Sequence, residues 1–212
     1  MHFHSKADLH IFRKFWHLFA GAMFVYLYDS VFNQEQMLKF VLAVNACYLI
    51  AEFSRFRLPK INQFGVRFFR PVIRGSEVNK MHGGVFFAIS SFIVVVVFPQ
   101  KIAILSVLCL GVGDPIASFF GLTFGSAGPR IFQHKSLVGS ISAALACAVA
   151  CFIMLHIWQL GSVPDRLALS AVAGIVAAVG EALPLPWDDN LTIPILSGIS
   201  ILLIAPAFSL AF

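Results

Sequence analysis

Seven long apolar runs dominate this chain and leave few ways to fold it. Residues 15–32, 37–53, 81–98, 102–121, 137–160, 167–183 and 191–212 carry at most two charged side chains each. Runs of about 17 to 24 residues are what a helix needs to cross hydrocarbon, and backbone polar groups in lipid must be satisfied within the segment. The chain is 59% hydrophobic and 12% charged, against roughly 45–50% and 25% in soluble domains. The expected fold is therefore all-α: a polytopic membrane helical bundle of about seven transmembrane helices, forming a single membrane-embedded domain over residues 1–212. A signal peptide fits poorly, because the first run is long and Ala20-Gly21-Ala22, the nearest thing to a cleavage site, lies inside it.

Charge placement gives an orientation. With the N-terminus inside, the inner segments hold Lys6, Arg13, Lys14, the basic residues from Arg55 to Lys80, Arg130 and Lys135, while the outer ones keep only Lys39, Lys101 and Arg166. That bias marks the cytoplasmic side, and every polar motif described below falls on it. Between 55 and 80, Ile61, Phe64, Phe68 and Val72 recur at helical spacing with Lys60, Arg67 and Arg74 elsewhere. This fits an interfacial helix limited by Pro71, or equally a topogenic basic loop. The net charge of +5 then reflects topology and anionic lipid, with no nucleic acid partner. Cys47, Cys109, Cys147 and Cys151 all fall in apolar runs without metal-ligand spacing and read as small buried hydrophobes.

Within this apolar background, polar residues are concentrated. Gly111-Val-Gly-Asp114-Pro115 places an acid and a helix-breaker inside the fourth run, where an ionisable group persists mainly to bind something or to line a wet cavity. Pro115 disfavours helical geometry at Asp114, and a break is expected there. The glycines nearby, Gly111, Gly113, Gly121, Gly125 and Gly128, allow positive φ and close backbone approach. A loop ending His134-Lys135-Ser136 runs into the fifth span. Ser136 is a plausible N-cap, so free N–H groups and the positive dipole end sit beside the Lys135 ammonium, as an anion site requires; a snorkelling lysine with a routine cap is the bland alternative. Glu181 is followed by Asp188-Asp189-Asn190, hard oxygen ligands of the kind Mg²⁺ takes together with phosphates. Arg13 and His17, four apart, share a helix face; Glu52 and Arg55 end the second span, and His82, Gly83 and Gly84 open the third. No phosphate-binding P-loop, His-Glu-x-x-His zinc motif or Gly-x-Ser-x-Gly elbow is present.

Taken together, Arg13-Lys14-x-x-His17, Glu52-x-x-Arg55, Gly113-Asp114-x-x-Ala117-Ser118-x-x-Gly121-x-x-x-Gly125, Lys135-Ser136-x-x-Gly139 and Glu181 through Asp188-Asp189-Asn190 resemble the CTP-dependent polyprenol kinase family. That family includes dolichol, phytol and farnesol kinases and the fungal-type diacylglycerol kinase. The resemblance implies phosphoryl transfer from CTP, or another nucleotide, to the hydroxyl of a membrane lipid. It puts the nucleotide between the Gly-Asp and Lys-Ser blocks, with Gly113, Ser118, Gly121, Gly125, His134, Lys135, Ser136, Gly139 and Asn190 as binding positions.

Phosphoryl transfer needs metal-held phosphates, positive charge around the transferred group and a positioned acceptor. Asp114, Asp188 and Asp189 are the expected Mg²⁺ ligands, and Lys135 the phosphate-binding cation. Glu181, Asp189 and His82 are candidates for taking the alcohol proton. Arg13, Lys14, His17, Glu52 and Arg55 serve the lipid substrate or the structure. Two rivals remain: a cytidylyltransferase, whose Gly-His-Gly-Gly-x-x-Asp-Arg-x-Asp type of signature is absent, and an ion-coupled transporter, for which broken helices and intramembrane acids are equally natural. The partners are thus a lipid and a nucleotide, with monomer and homodimer both open.

Overall fold

Each of the apolar runs becomes one helix. The computed structural model describes residues 8–58, 62, 81–125, 128–132, 135–184, 186–208, 210 and 212. Among them lie α1 (Asp8–Tyr26), continued by a π turn (Leu27–Val31), α2 (Gln34–Arg57), α3 (Gly83–Val97), α4 (Gln100–Phe124), α5 (Leu137–Ile157), α6 (Val163–Ala182) and α7 (Asp189–Ile204), which ends in a 3₁₀ turn (Ala205–Phe208). The helices α2, α4, α5, α6 and α7 with its 3₁₀ turn are long and apolar enough to cross a membrane, and α3 is a shorter apolar helix. The protein is an integral membrane helical bundle.

Polar residues at the run boundaries start the helices. Asn33 and Gln36 form a capping box on α2, and Ser162 and Asp165 another on α6. His82, Ser136 and Asp188 cap α3, α5 and α7, each side chain accepting from a backbone N–H two or three residues on.

Two expectations are corrected. The α4 helix does not break at Asp114: it runs through Pro115 to Phe124. Pro115 removes one N–H and frees the carbonyl four residues back, that of Gly111, and a membrane helix tolerates this when neighbouring helices pack against it. Nor is the stretch before α5 only a loop, because β1 (Arg130–Phe132) and β2 (Lys135–Ser136) pair antiparallel. The interfacial helix expected over 60–74 lies outside the described residues. Among the described residues positive φ occurs at Gly161 and Gln159, so the glycines of α4 are not used for that conformation.

Helix α4 is central, with a larger share of it buried than of the other four long helices. It packs against α1, α5 and α7 and touches α3 and α6. At the α1–α4 crossing a Cβ on Gly21 would stand 2.8 Å from the Gly111 Cα; glycine at both places lets the backbones meet. By contrast α1 and α2 scarcely touch, since α2 packs on α3. The outward faces, such as Ile141, Leu145, Val149 and Ile153 on α5, are exposed apolar side chains that suit lipid. Of the cysteines, Cys109, Cys147 and Cys151 are buried together, but Cys47 is exposed, because among the described residues α2 packs on α3 and little else.

Candidate active site

The acids of α4, α6 and α7 converge at one end of the bundle. Lys135, on β2, donates to Asp189 Oδ2 at 3.1 Å and to the Glu181 carbonyl, and lies 3.1 Å from Glu181 Oε1. Burial alone would lower the pKa of this ammonium, but the carboxylates of Asp189 and Glu181 outweigh it and the pKa is raised. Lysine is therefore held charged between two acids. The Asp114 carboxylate is near enough to act electrostatically on Glu181, Asp189 and Lys14.

Asp114 is itself held by α1. Its Oδ2 is 3.0 Å from His17 Nδ1, with the His17 side chain 4% and the Asp114 side chain 19% exposed. The contact follows from the glycine crossing: His17 stands one turn before Gly21, and Asp114 three residues after Gly111. Nothing in the sequence links the two residues, 97 positions apart. Next to them the buried Asn190 side chain donates to the Gly83 carbonyl at 3.1 Å. Gly83 also supports Arg13, since a Cβ there would fall 2.6 Å from Arg13 Nη2 and 2.8 Å from Asn190 Nδ2. Arg13, Gly83 and Asn190 thus bring α1, α3 and α7 together. Gly83 was legible only as a small residue opening the third span.

Other expected site residues take structural places. His82 Nδ1 accepts from the Gly84 N–H at 3.0 Å, and its own backbone N–H donates to Glu52 Oε1 at 2.9 Å. Glu52 and Arg55 form a buried two-point ion pair at 2.6 and 3.1 Å, and Arg55 reaches Asn62. This group ties the end of α2 to the start of α3. Ser136 is the expected N-cap, accepting from Gly139 N–H at 3.1 Å. Gly113, Ala117, Gly121 and Gly125, four apart along α4, form a small-residue stripe. A Cβ on Gly113 would strike Cys147, one on Gly121 or Gly125 would meet Ser136, and one on Gly139 would strike the Ala117 carbonyl. At Gly113, Gly121, Gly125 and Gly139 the missing side chain thus allows close helix packing. Ser118, one place along from Ala117, is half-buried. His134 lies outside the described residues.

For a metal, the donor set is incomplete but suitable. Among the described residues no three His, Cys, Asp or Glu side chains are grouped to hold an ion by themselves. Asp188 caps α7 through Oδ1, Asp189 faces Lys135 and Asp114 faces His17. Each carboxylate retains acceptor capacity, and Mg²⁺ commonly takes one or two carboxylates with waters and substrate phosphates. A site this rich in acid admits a triphosphate only with a cation to offset the repulsion.

The opposite end of the bundle is built for anchoring. Arg166 donates to the Leu160 and Gly161 carbonyls and meets His156 Nδ1 at 3.0 Å, and Trp158 donates to Asp29 at 2.8 Å. No comparable cluster of acids is found there among the described residues.

Comparison with known proteins identifies the family. Over 161 residues the chain is 35% identical to CTP-dependent diacylglycerol kinase 1 of Schizosaccharomyces pombe, covering 71% of this chain and 72% of that protein. It is 26% identical over 204 residues to CTP-dependent diacylglycerol kinase 1 of Saccharomyces cerevisiae, covering 88% and 70%. A further 26% identity over 196 residues relates it to a probable chloroplastic phytol kinase 1 of Glycine max, covering 86% and 63%. No family model matches the chain. No solved structure matches it either. With the relative from Schizosaccharomyces pombe matched over most of both lengths, the chain belongs to the CTP-dependent lipid kinase family.

Proposed function

We propose that this protein transfers the γ-phosphoryl group of CTP to the free hydroxyl of a diacylglycerol-type lipid at the cytoplasmic membrane surface, the whole chain acting as one membrane-embedded catalytic domain. The observation that carries the reading is Lys135 held between Glu181 and Asp189, two acids that in turn feel the Asp114 carboxylate. Such a site offers a cation for phosphate beside acids able to hold a divalent metal.

In this reading the acceptor hydroxyl oxygen forms a bond to the γ-phosphorus. The bond from that phosphorus to the β–γ bridging oxygen breaks, CDP leaves, and the hydroxyl proton passes to a nearby carboxylate, with Glu181 and Asp189 the candidates. His82 is the weaker candidate, because its ring caps α3. Asp114, Asp188 and Asp189 are the residues that would hold Mg²⁺, which when bound supplies charge neutralisation on the phosphates. Lys135 and the α5 start, capped by Ser136, bind the anionic donor; Asn190 fixes α7 against α3. Glu52 and Arg55 tie α2 to the start of α3, and Arg13 and Lys14 add positive charge from α1.

An isoprenoid alcohol is the second acceptor reading, favoured by the similarity to the phytol kinase. The test is the purified protein in nanodiscs supplied with CTP labelled on the α or the γ phosphate, with dioleoylglycerol, phytol or, as the acceptor a nucleotidyltransferase would need, phosphatidic acid. Label from the γ position alone in phosphatidic acid is the expected result. Label from the α position in lipid would make the protein a nucleotidyltransferase, and ion flux without CTP consumption would make it a transporter.

A further inference from the structure

Between α1, α2 and α3 lies an apolar groove of about 230 Å³, with Ala20, Met23, Phe24, Val44, Phe87 and Ala88 among its walls. It exists because α1 and α2 scarcely touch. A cavity of about 150 Å³ already accepts benzene, so there is room for part of a hydrocarbon chain. The groove is continuous with the acid site: His17 lines it and bonds Asp114. Further from the site, the wall holds a buried hydroxyl. Ser91 is 4% exposed and its Oγ has no hydrogen-bond partner among the described residues. Its neighbour Ser90 instead donates to the Phe87 carbonyl, and Asn45 donates to Val41 and Ala88 carbonyls. An unmade bond at such a buried position is costly.

The spacing is informative. The His17 ring stacks on Phe87 with centroids 6.1 Å apart, and Ser91 is one turn further along α3, about 6 Å deeper. A ligand with its hydroxyl at His17 and an oxygen acceptor a few bonds below it would satisfy both. We infer that this groove is the acceptor site for an acylglycerol, with the free hydroxyl toward His17 and Asp114 and an ester carbonyl accepting from Ser91 Oγ. The inference rests on the lipid kinase reading. It makes Ser91 a specificity-determining residue, because an isoprenoid alcohol has no oxygen at that depth.

The test compares dioctanoylglycerol with its di-O-octyl ether analogue, which lacks the carbonyl, in the wild-type protein and in Ser91→Ala. Wild type should prefer the ester, and the variant should lose about threefold to tenfold in kcat/KM for the ester while the ether is unaffected. Equal ester and ether rates in wild type, or an unchanged ester preference in the variant, would overturn the groove assignment while leaving CTP-dependent lipid phosphorylation standing. No phosphorylation of any lipid alcohol by wild type would instead remove the kinase reading and the groove with it. Should Ser91→Ala fail to fold, wild-type protein labelled with a diacylglycerol carrying a diazirine in its acyl chain decides the matter. Adducts at Met23, Val44 and Phe87 are expected, and adducts confined to Leu145, Val149 and Ile153 on the outer face of α5 would contradict it.

Discussion

Gly21 and Gly111 face each other so closely that a Cβ on Gly21 would lie 2.8 Å from the Gly111 Cα, and this contact sets the height at which His17 meets Asp114. Gly21→Ala should therefore push α1 from α4, at a cost of about 1–3 kcal/mol from overpacking, and lower turnover as the His17–Asp114 contact opens. Thermal unfolding in detergent together with CTP consumption checks this; an unshifted midpoint would show that the crossing adapts.

Removing the charge of Asp114 tests its role directly. Asp114→Asn keeps shape and should leave the protein folded and membrane-inserted, while turnover falls by about 10²-fold or more. Because His17 contacts Asp114 directly, His17→Ala combined with Asp114→Asn should cost less than the sum of the single changes. A double-mutant cycle on kcat measures it, and strict additivity would mean the two residues work independently.

Lys135 is ion-paired and is the proposed phosphate-binding cation, and pH tests both. Its pKa is raised in the folded protein, so the stabilisation is fully present below the unfolded value of about 10.4 and is lost only as pH rises through the higher folded value. The KM for CTP should stay flat from about pH 7 to 9, and Lys135→Ala should raise it about tenfold or more. Steady-state kinetics across that range is the measurement, and an upturn in wild-type KM within it would contradict a persistently charged lysine.

Gly83 is a point where small size matters to function. A methyl group there would displace Arg13 Nη2 and Asn190 Nδ2, at 2.6 and 2.8 Å. Gly83→Ala should retain fold and CTP-independent lipid binding but reduce kcat/KM severalfold. Comparing turnover with dioctanoylglycerol binding in the variant reads this, and wild-type kinetics would show that Arg13 simply moves aside.

The acid-rich site predicts dependence on a divalent cation. Chelation should abolish phosphoryl transfer, and millimolar Mg²⁺ should restore it without refolding. Calorimetry should also show CTP binding weakened in chelator, because the acids then repel the triphosphate. Full activity in chelator would remove the metal from the scheme.

Much of this was legible before any coordinates. The length and apolarity of the runs demanded helices, and the seven runs became α1 to α7, with ends shifted by up to eight residues. Ser136 was readable as a cap because a hydroxyl before an apolar run is a local signal. The Glu52–Arg55 pair was readable because three residues separate them on one helix face. Where local rules conflicted with packing, they failed. Pro115 predicted a break, yet α4 continues because its neighbours hold it. The glycines of α4 allowed positive φ or close backbone approach, and packing took only the second: Gly111 meets Gly21 on α1, and Gly113, Gly121 and Gly125 make room for Cys147 and Ser136.

By itself the sequence determined that this chain lives in a membrane as helices and which polar residues are too costly there to be idle, since both follow from the transfer of each residue into hydrocarbon. Only the tertiary structure decided that His17 holds Asp114, that Lys135 lies between Glu181 and Asp189, and that Gly83 joins Arg13 to Asn190. Those pairings depend on which helices cross and at what height, and crossing is a property of two surfaces fitting together, which no single stretch of sequence contains.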